Sequence, residues 1–298
     1  LSKFPNIHWL RGSVSAMNEE EQGAAVVVDG RRYQGRYVFN SFQRPPTPEP
    51  GRYHHLLQHF SGWVIESPQA VFDPGEALLM DFRTPQRDSA RFFYVLPFSE
   101  REALVEYTIF SGRLLPREAY TRRLHQYIRQ QIGLDSYAVR EREHGVIPMT
   151  DAPFPARISE HIINIGTVGG AVKPTTGYAF LNIQEQTRTI AGRLESGASP
   201  AAARPYPRRF RFYDTLLLHI LEREGQEAAP IFRALFRHNP MHRILSFLKE
   251  DSHLWQEAAI FSRLPFKPFL KALFNTQLTA AAPPPRRPAI DIPAKRLK

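Results

Sequence analysis

The sequence predicts a mixed α/β fold, and three observations carry that reading. Residues 52–112 alternate apolar and polar side chains in short runs, the period of antiparallel strands. Residues 208–275 repeat apolar side chains at helical spacing, broken at Pro240 and Pro265. Between them, Val168-Gly169-Gly170-Ala171-Val172-Lys173-Pro174-Thr175-Thr176-Gly177-Tyr178 sets glycines and a proline ahead of a helix expected from Tyr178 to about Leu194. Glycines let the backbone approach a ligand closely, and the amides of a helix start favour a negative ligand group. Thr175 or Thr176 is expected to cap the first turn. Taken alone, a capped turn before a surface helix explains this segment at least as well.

From the N-terminus, Ala24-Ala25-Val26-Val27-Val28, Asp29-Gly30 and Tyr37-Val38-Phe39-Asn40 read as a hairpin, because Asp-Gly between apolar runs favours a two-residue turn. Pro45, Pro46, Pro48 and Pro50 mark a crossing between domains. Strands are expected at about His54–Glu66, Ala77–Arg83, Arg91–Leu96 and Ala103–Phe110. A helix from roughly Pro116 to Gln131 carries Tyr120, Leu124, Tyr127 and Ile128 on one face. Residues 137–150 and 161–165 read as strands returning to the first domain, and Gly197-Ala198-Ser199-Pro200 as a second boundary. The expected organisation joins 1–50 with 137–200 and places a β domain at 51–136. Helices fill 205–275, and a basic tail that does not fold fills 280–298.

No cysteine occurs, which excludes disulfides, thiolate metal sites and cysteine nucleophiles. No apolar run is long enough to span a bilayer, and no signal peptide is visible. A net charge of +10 raises nucleic acid as a partner, but no basic recognition helix or nucleic-acid motif accompanies it. Part of the excess lies in Arg286, Arg287, Lys295, Arg296 and Lys298. His54, His55 and His59 lack neighbouring acids and read as ordinary strand histidines rather than metal ligands.

Several blocks resemble, in order, the bacterial lycopene cyclases. They are Met80-Asp81-Phe82-Arg83, then Phe93-Tyr94-Val95-Leu96-Pro97-Phe98-Ser99 running into Leu104-Val105-Glu106-Tyr107-Thr108, then Ile147-Pro148-Met149. Ile165-Gly166-Thr167-Val168-Gly169-Gly170 follows, then Lys173-Pro174-Thr175-Thr176-Gly177-Tyr178, and finally Arg211-Phe212-Tyr213-Asp214 with Leu216-Leu217-Leu218. The resemblance covers most of residues 1–275 and implies an FAD/NAD(P)-binding flavoprotein fold with an antiparallel β substrate domain and C-terminal helices. It also implies FAD contacts at Gly166, Thr167, Gly169, Gly170, Lys173, Pro174, Thr175, Thr176, Gly177 and Tyr178. The G-x-G-x-x-G turn that holds the ADP half of FAD in such proteins does not occur here. The chain is therefore expected to lack the first βαβ unit and to retain FAD poorly.

The chemistry implied is acid-catalysed cyclisation of a linear carotenoid such as lycopene, assisted by reduced FAD with NAD(P)H as reductant and no net redox change. Glu106 matches the first acid of the family's acidic motif; where plant members carry a second adjacent acid, this chain has Tyr107. The residues beside Glu106 on its strand face are mainly apolar, which would keep its carboxyl protonated. Pairing with an arginine such as Arg91 is the structural alternative. Asp81 is a second candidate, either as acid or base or as the partner of Arg83. Phe60, Trp63, Phe82, Phe92, Phe93, Tyr94, Phe98 and Tyr107 supply aromatic surface, mostly core, with faces available to a cation. The substrate implies a peripheral position on the cytoplasmic face of a bacterial membrane. Phe266, Phe269, Leu270, Leu273 and Phe274 beside Lys267 and Lys271 suit an interfacial segment. The competing functions are a hydride-moving hydroxylase or prenyl reductase of the same superfamily, which would consume NADPH stoichiometrically, and an inactive lipid-binding fragment.

Overall fold

The computed structural model describes residues 4–42, 52–201 and 207–275. The proline-rich crossing at 45–50 and the basic tail at 280–298 lie outside the described residues. Strands β1 (Val14–Glu20), β2 (Gly23–Val28) and β3 (Arg31–Gly35) form an antiparallel meander. Asp29 and Gly30, with φ of 48° and 78°, make the tight turn between β2 and β3. The strand after that turn is thus Arg31–Gly35. Val38–Asn40 forms a separate strand, β4, which pairs in parallel with Ile162–Asn164.

A five-stranded antiparallel sheet dominates the middle of the chain. Its members are β5 (His55–Glu66), β6 (Leu78–Asp81), β7 (Ala90–Pro97), β8 (Glu102–Ser111) and β9 (Ala138–Thr150). Their order is β6-β7-β8-β5-β9. The expected β boundaries hold to within a residue or two, because turn residues and the two-residue period agree. The placement of 137–150 does not hold. β9 runs beside β5 from His55↔Thr150 to Glu66↔Ala138, so it is an edge of this sheet. Only Ile162–Asn164, β10, joins β4.

The sheet buries both faces against different partners. Trp63, Phe93, Val105, Tyr107 and Ile109 pack on helix α1 (Arg117–Tyr127), through Tyr120, Leu124 and Tyr127. That helix ends in a single π turn at Ile128–Ile132. The opposite face carries Leu56, Phe92, Phe110 and Met149, covered at one end by the C-terminal helices. These are α3 (Arg208–Arg223), α4 (Ala228–His238), α5 (Met241–Leu248) and α6 (Leu254–Phe261), with α7 (Phe266–Asn275) against α3. Helix α2 (Phe180–Glu195) follows the glycine-rich segment. Among the described residues no helix is long and apolar enough to cross a membrane.

His54 reaches Glu222 on α3, and His59 is buried between Tyr120 and Ser111, with ring nitrogens 2.6 and 2.9 Å from their hydroxyls. Desolvation lowers the His59 pKa from 6.5 to about 4, so the native protein holds it neutral. Neutral His59 contributes stability above pH 6.5 that is lost as pH falls toward 4. The stability advantage of the wild type over His59→Gln, read from urea midpoints, is expected to shrink between pH 7 and pH 4.5. An undiminished advantage would contradict this.

Candidate active site

Strand alternation decides which of the candidate residues meet. Directly opposed residues in an antiparallel sheet point to the same side. Tyr94 on β7 opposes Glu106 on β8, Glu106 opposes Gly62 on β5, and Gly62 opposes Glu143 on β9. These four positions form one row on the face away from α1. The next row holds Thr108, Phe60 and Gly145, and the one after it Phe110, Gln58 and Ile147.

Glu106 is half-buried and accepts a 2.6 Å hydrogen bond from the Thr108 hydroxyl. Its carboxyl pKa is raised to about 7, chiefly by burial, with the hydrogen bond and like charge of Glu143 acting the same way and Thr108 opposing. Arg91 belongs to the other face, where it bonds Ser89 and Asp88, so it does not pair with Glu106. Of the aromatic candidates, Phe60 and Tyr94 stand beside the acid. A Cβ added at Gly145 would lie 2.3 Å from the Phe60 ring, so the ring reaches over the β9 backbone there. Burial and the neighbouring Glu106 raise the Tyr94 pKa, which keeps its hydroxyl protonated. Trp63, Phe93 and Tyr107 are core residues on the α1 side. Phe82 and Phe92 pack among the C-terminal helices, and Phe98 is exposed in the β7–β8 turn.

Asp81 is not brought to Glu106. It opposes Phe93, on the α1 face, and accepts a 2.5 Å hydrogen bond from the Tyr127 hydroxyl. Burial pushes its pKa up, but the Arg83 guanidinium and Tyr127 outweigh that and hold it below the usual carboxylate value. An ionised, fully partnered carboxylate on the wrong face has no proton to deliver there.

The glycine-rich loop reaches the Glu106 face from the far side. It begins at the carboxyl end of β10, in the position where parallel α/β units bind ligands. Gly166 and Gly170 have φ of 62° and 78°, and a Cβ at Gly169 would lie 2.4 Å from the Asn164 carbonyl oxygen. Gln186 on α2 holds the loop by accepting from the Gly166 amide at 2.8 Å. At the other end, Gly177 (φ 68°) rests on the sheet, where a Cβ would meet Gln58 Oε1 at 2.8 Å and Ile147 at 3.3 Å. Tyr178 lies close enough to Tyr94 to raise its pKa further. Gln58 and Gly62 are four residues apart on β5, ~13 Å at about 3.3 Å per residue. The loop and the acid thus share one face.

The threonines serve a different purpose from the expected cap. Ala179 stands at the start of α2, and no side chain caps its first turn. Thr175 Oγ1 donates instead to Asp214 at 2.6 Å, and Thr176 Oγ1 accepts from the Tyr178 amide at 3.3 Å. Lys173 is buried, with its ammonium 2.8 Å from Asp214 and 3.3 Å from Glu250. Its amide donates to the Tyr178 carbonyl and its carbonyl accepts from Gly177, which closes the loop on itself.

The helix start fits an anionic group of a cofactor. The first turn of α2 carries neither a side-chain cap nor an acid, so its amides suit a negative group. Among the described residues Gln58 Oε1 is buried without a hydrogen-bond partner under the Gly177 turn.

Comparison with known families adds a direct finding: the family model described as "Lycopene cyclase protein" matches residues 3–274. The chain belongs to the lycopene cyclase family. Lycopene beta-cyclase of Paracoccus sp. is 32% identical over 177 residues, 57% of this chain and 41% of that protein. The chloroplastic/chromoplastic lycopene beta cyclase of Narcissus pseudonarcissus is 28% identical over 179 residues, 55% of this chain and 35% of that protein. The chain thus matches well under two thirds of these relatives' length. A geranylgeranyl bacteriochlorophyll reductase-like protein from Thermoplasma acidophilum superposes over 89% of this chain and 66% of its own. Its TM-score is 0.47 at 14% identity, too loose a likeness to argue from.

Two features of this candidate site were not evident in the sequence. Glu143 reaches Glu106 only through the β8-β5-β9 pairing, and the Asp214–Lys173–Glu250 cluster joins residues 41 and 77 positions apart. An isolated glycine inside a strand signals a close approach, and Gly62 is that signal. Replacing Lys173 by Met removes the cation that two buried carboxylates share. The expected loss of folding stability is about 3–5 kcal/mol in denaturant unfolding. A loss under about 1 kcal/mol would contradict the assigned role.

Proposed function

We propose that this chain provides the acid and the flavin-side wall of a lycopene cyclase, turning a linear ψ end of lycopene into a β-ionone ring. The observation that carries the reading is a half-buried carboxyl, its pKa pushed up to about 7 by burial, on the same sheet face as the glycine loop and flanked by Phe60 and Tyr94. The Glu106 O–H delivers its proton to the terminal double bond, and the neighbouring double bond attacks the resulting cation. Loss of a ring proton completes an isomerisation in which no electrons are gained or lost. The Phe60 ring face and the ionised carboxyl offer the cation negative charge density.

FAD, reduced by NAD(P)H, would be held by the backbone of Gly166, Thr167, Gly169 and Gly170, by Pro174, Thr176, Gly177 and Tyr178, and by the start of α2. Lys173 and Thr175 would act indirectly, by fixing the loop to Asp214. When bound, the reduced flavin supplies electron density that favours the nearby cation. This chain's part would be to hold the cofactor against the sheet face through the glycine loop.

The test is Glu106→Gln in the chain joined to an N-terminal βαβ dinucleotide-binding unit, in a lycopene-accumulating bacterium. Cyclised carotenoid is expected to fall about a hundredfold or more, with FAD content unchanged. Near-normal cyclisation by a folded, FAD-loaded variant would eliminate Glu106 as the acid. Turnover that consumes NADPH one for one would instead favour a hydride-moving flavoprotein.

We also propose peripheral attachment to the cytoplasmic face of the membrane, since the substrate resides in the bilayer. Phe266, Leu270, Leu273 and Phe274 are exposed on α7 among Lys267 and Lys271, while Phe269 packs inward on α3. Phe266→Asp with Phe274→Asp is expected to cut partition onto anionic liposomes about tenfold or more. Unchanged partition would locate the contact elsewhere.

A further inference from the structure

The row Glu106, Gly62, Glu143 places two carboxyls on neighbours of the same strand, with a residue lacking a side chain between them. A Cβ at Gly62 would stand 2.5 Å from Glu143 Oε1 and 2.8 Å from its Cγ. The Glu143 side chain therefore lies across the bare backbone of β5, toward β8, rather than outward from its edge strand. Any other residue at position 62 would push it away. We propose that Glu143 is the positioning partner of Glu106: the two carboxyls meet over Gly62 and share a single proton. The inference rests on the reading of Glu106 as the cyclising acid and names how that acid is kept loaded.

Two carboxylates in contact cannot both be ionised cheaply, so the pair retains one proton at neutral pH. The groups facing Glu106 are few. Glu143 comes from β9, Tyr94 from β7 with Tyr178 of the loop beyond it, and Thr108 from the same strand. Of these only Glu143 is a second carboxyl, and its hydrogen bond and like charge both favour the protonated form of Glu106. Glu143 is itself exposed, on an edge strand, so the half-buried acid exchanges protons with water through it.

The proton count closes over one turnover. The Glu106 O–H bond breaks as a C–H bond forms at the terminal double bond, leaving both carboxyls ionised beside the cation. Ring closure consumes the second double bond. The C–H bond adjacent to the ring cation then breaks, its electrons form the ring double bond, and its proton returns to the pair. No oxidant or reductant enters.

Carbon-13 carboxyl NMR of the 298-residue chain, with the Glu106 signal assigned by its loss in Glu106→Gln, tests the pair without requiring activity. Glu143→Gln removes the charge but not the shape, and is expected to lower the Glu106 midpoint by about one pH unit or more. Gly62→Ala displaces only a flexible side chain and should move it the same way, with little further change in the double variant. In an active form, the alkaline limb of kcat should fall by the same amount while KM changes less than about twofold. A Glu106 midpoint that stays put in folded Glu143→Gln overturns the pair and leaves the acid assignment intact. Conversely, an active Glu106→Gln defeats the acid assignment while the NMR shift still reports the pair.

Discussion

In the five-stranded sheet a residue's side is fixed by the two-residue period, and the two sides have different fates. One packs against α1 and is closed by aromatic residues. The other is covered by helices at one end, by the glycine loop in the middle, and is half-open where Glu106 stands. Every functional assignment follows from that division. Asp81 falls on the closed side and pairs with Arg83, whereas Glu106 falls on the open one, where burial raises its carboxyl pKa.

The same period explains the departure at position 107. Tyr107 neighbours Glu106 in sequence but points to the α1 side, where it is fully buried. A carboxyl there would be on the wrong face to share a proton with Glu106. In the proposed pair the second carboxyl comes instead from β9, through the gap that Gly62 leaves. Sequence adjacency and spatial adjacency are different things on a strand.

Local signals made much of the fold legible. Asp29-Gly30 marked its turn, and alternation marked β5, β7 and β8 and the apolar surroundings of Glu106. What stayed hidden depended on distant partners. The edge position of β9 is set by its pairing with β5, not by its own pattern. Thr175 is a plausible cap until Asp214, 39 residues on, takes its hydroxyl. The burial of Lys173 has no local signal, because the two carboxylates that make it tolerable lie on α3 and after α5.

The central claim is that the loop ending in Gly177 lies on the face that carries Glu106, over Gln58 and Ile147. Nuclear Overhauser contacts between the Gly177 α-protons and the Ile147 methyl groups measure this in the unaltered chain. The site Gly177 would offer to a Cβ lies 3.3 Å from Ile147 Cγ2, so a strong cross-peak is predicted. With both residues assigned and the protein folded, the absence of that cross-peak would separate loop from acid and contradict the account.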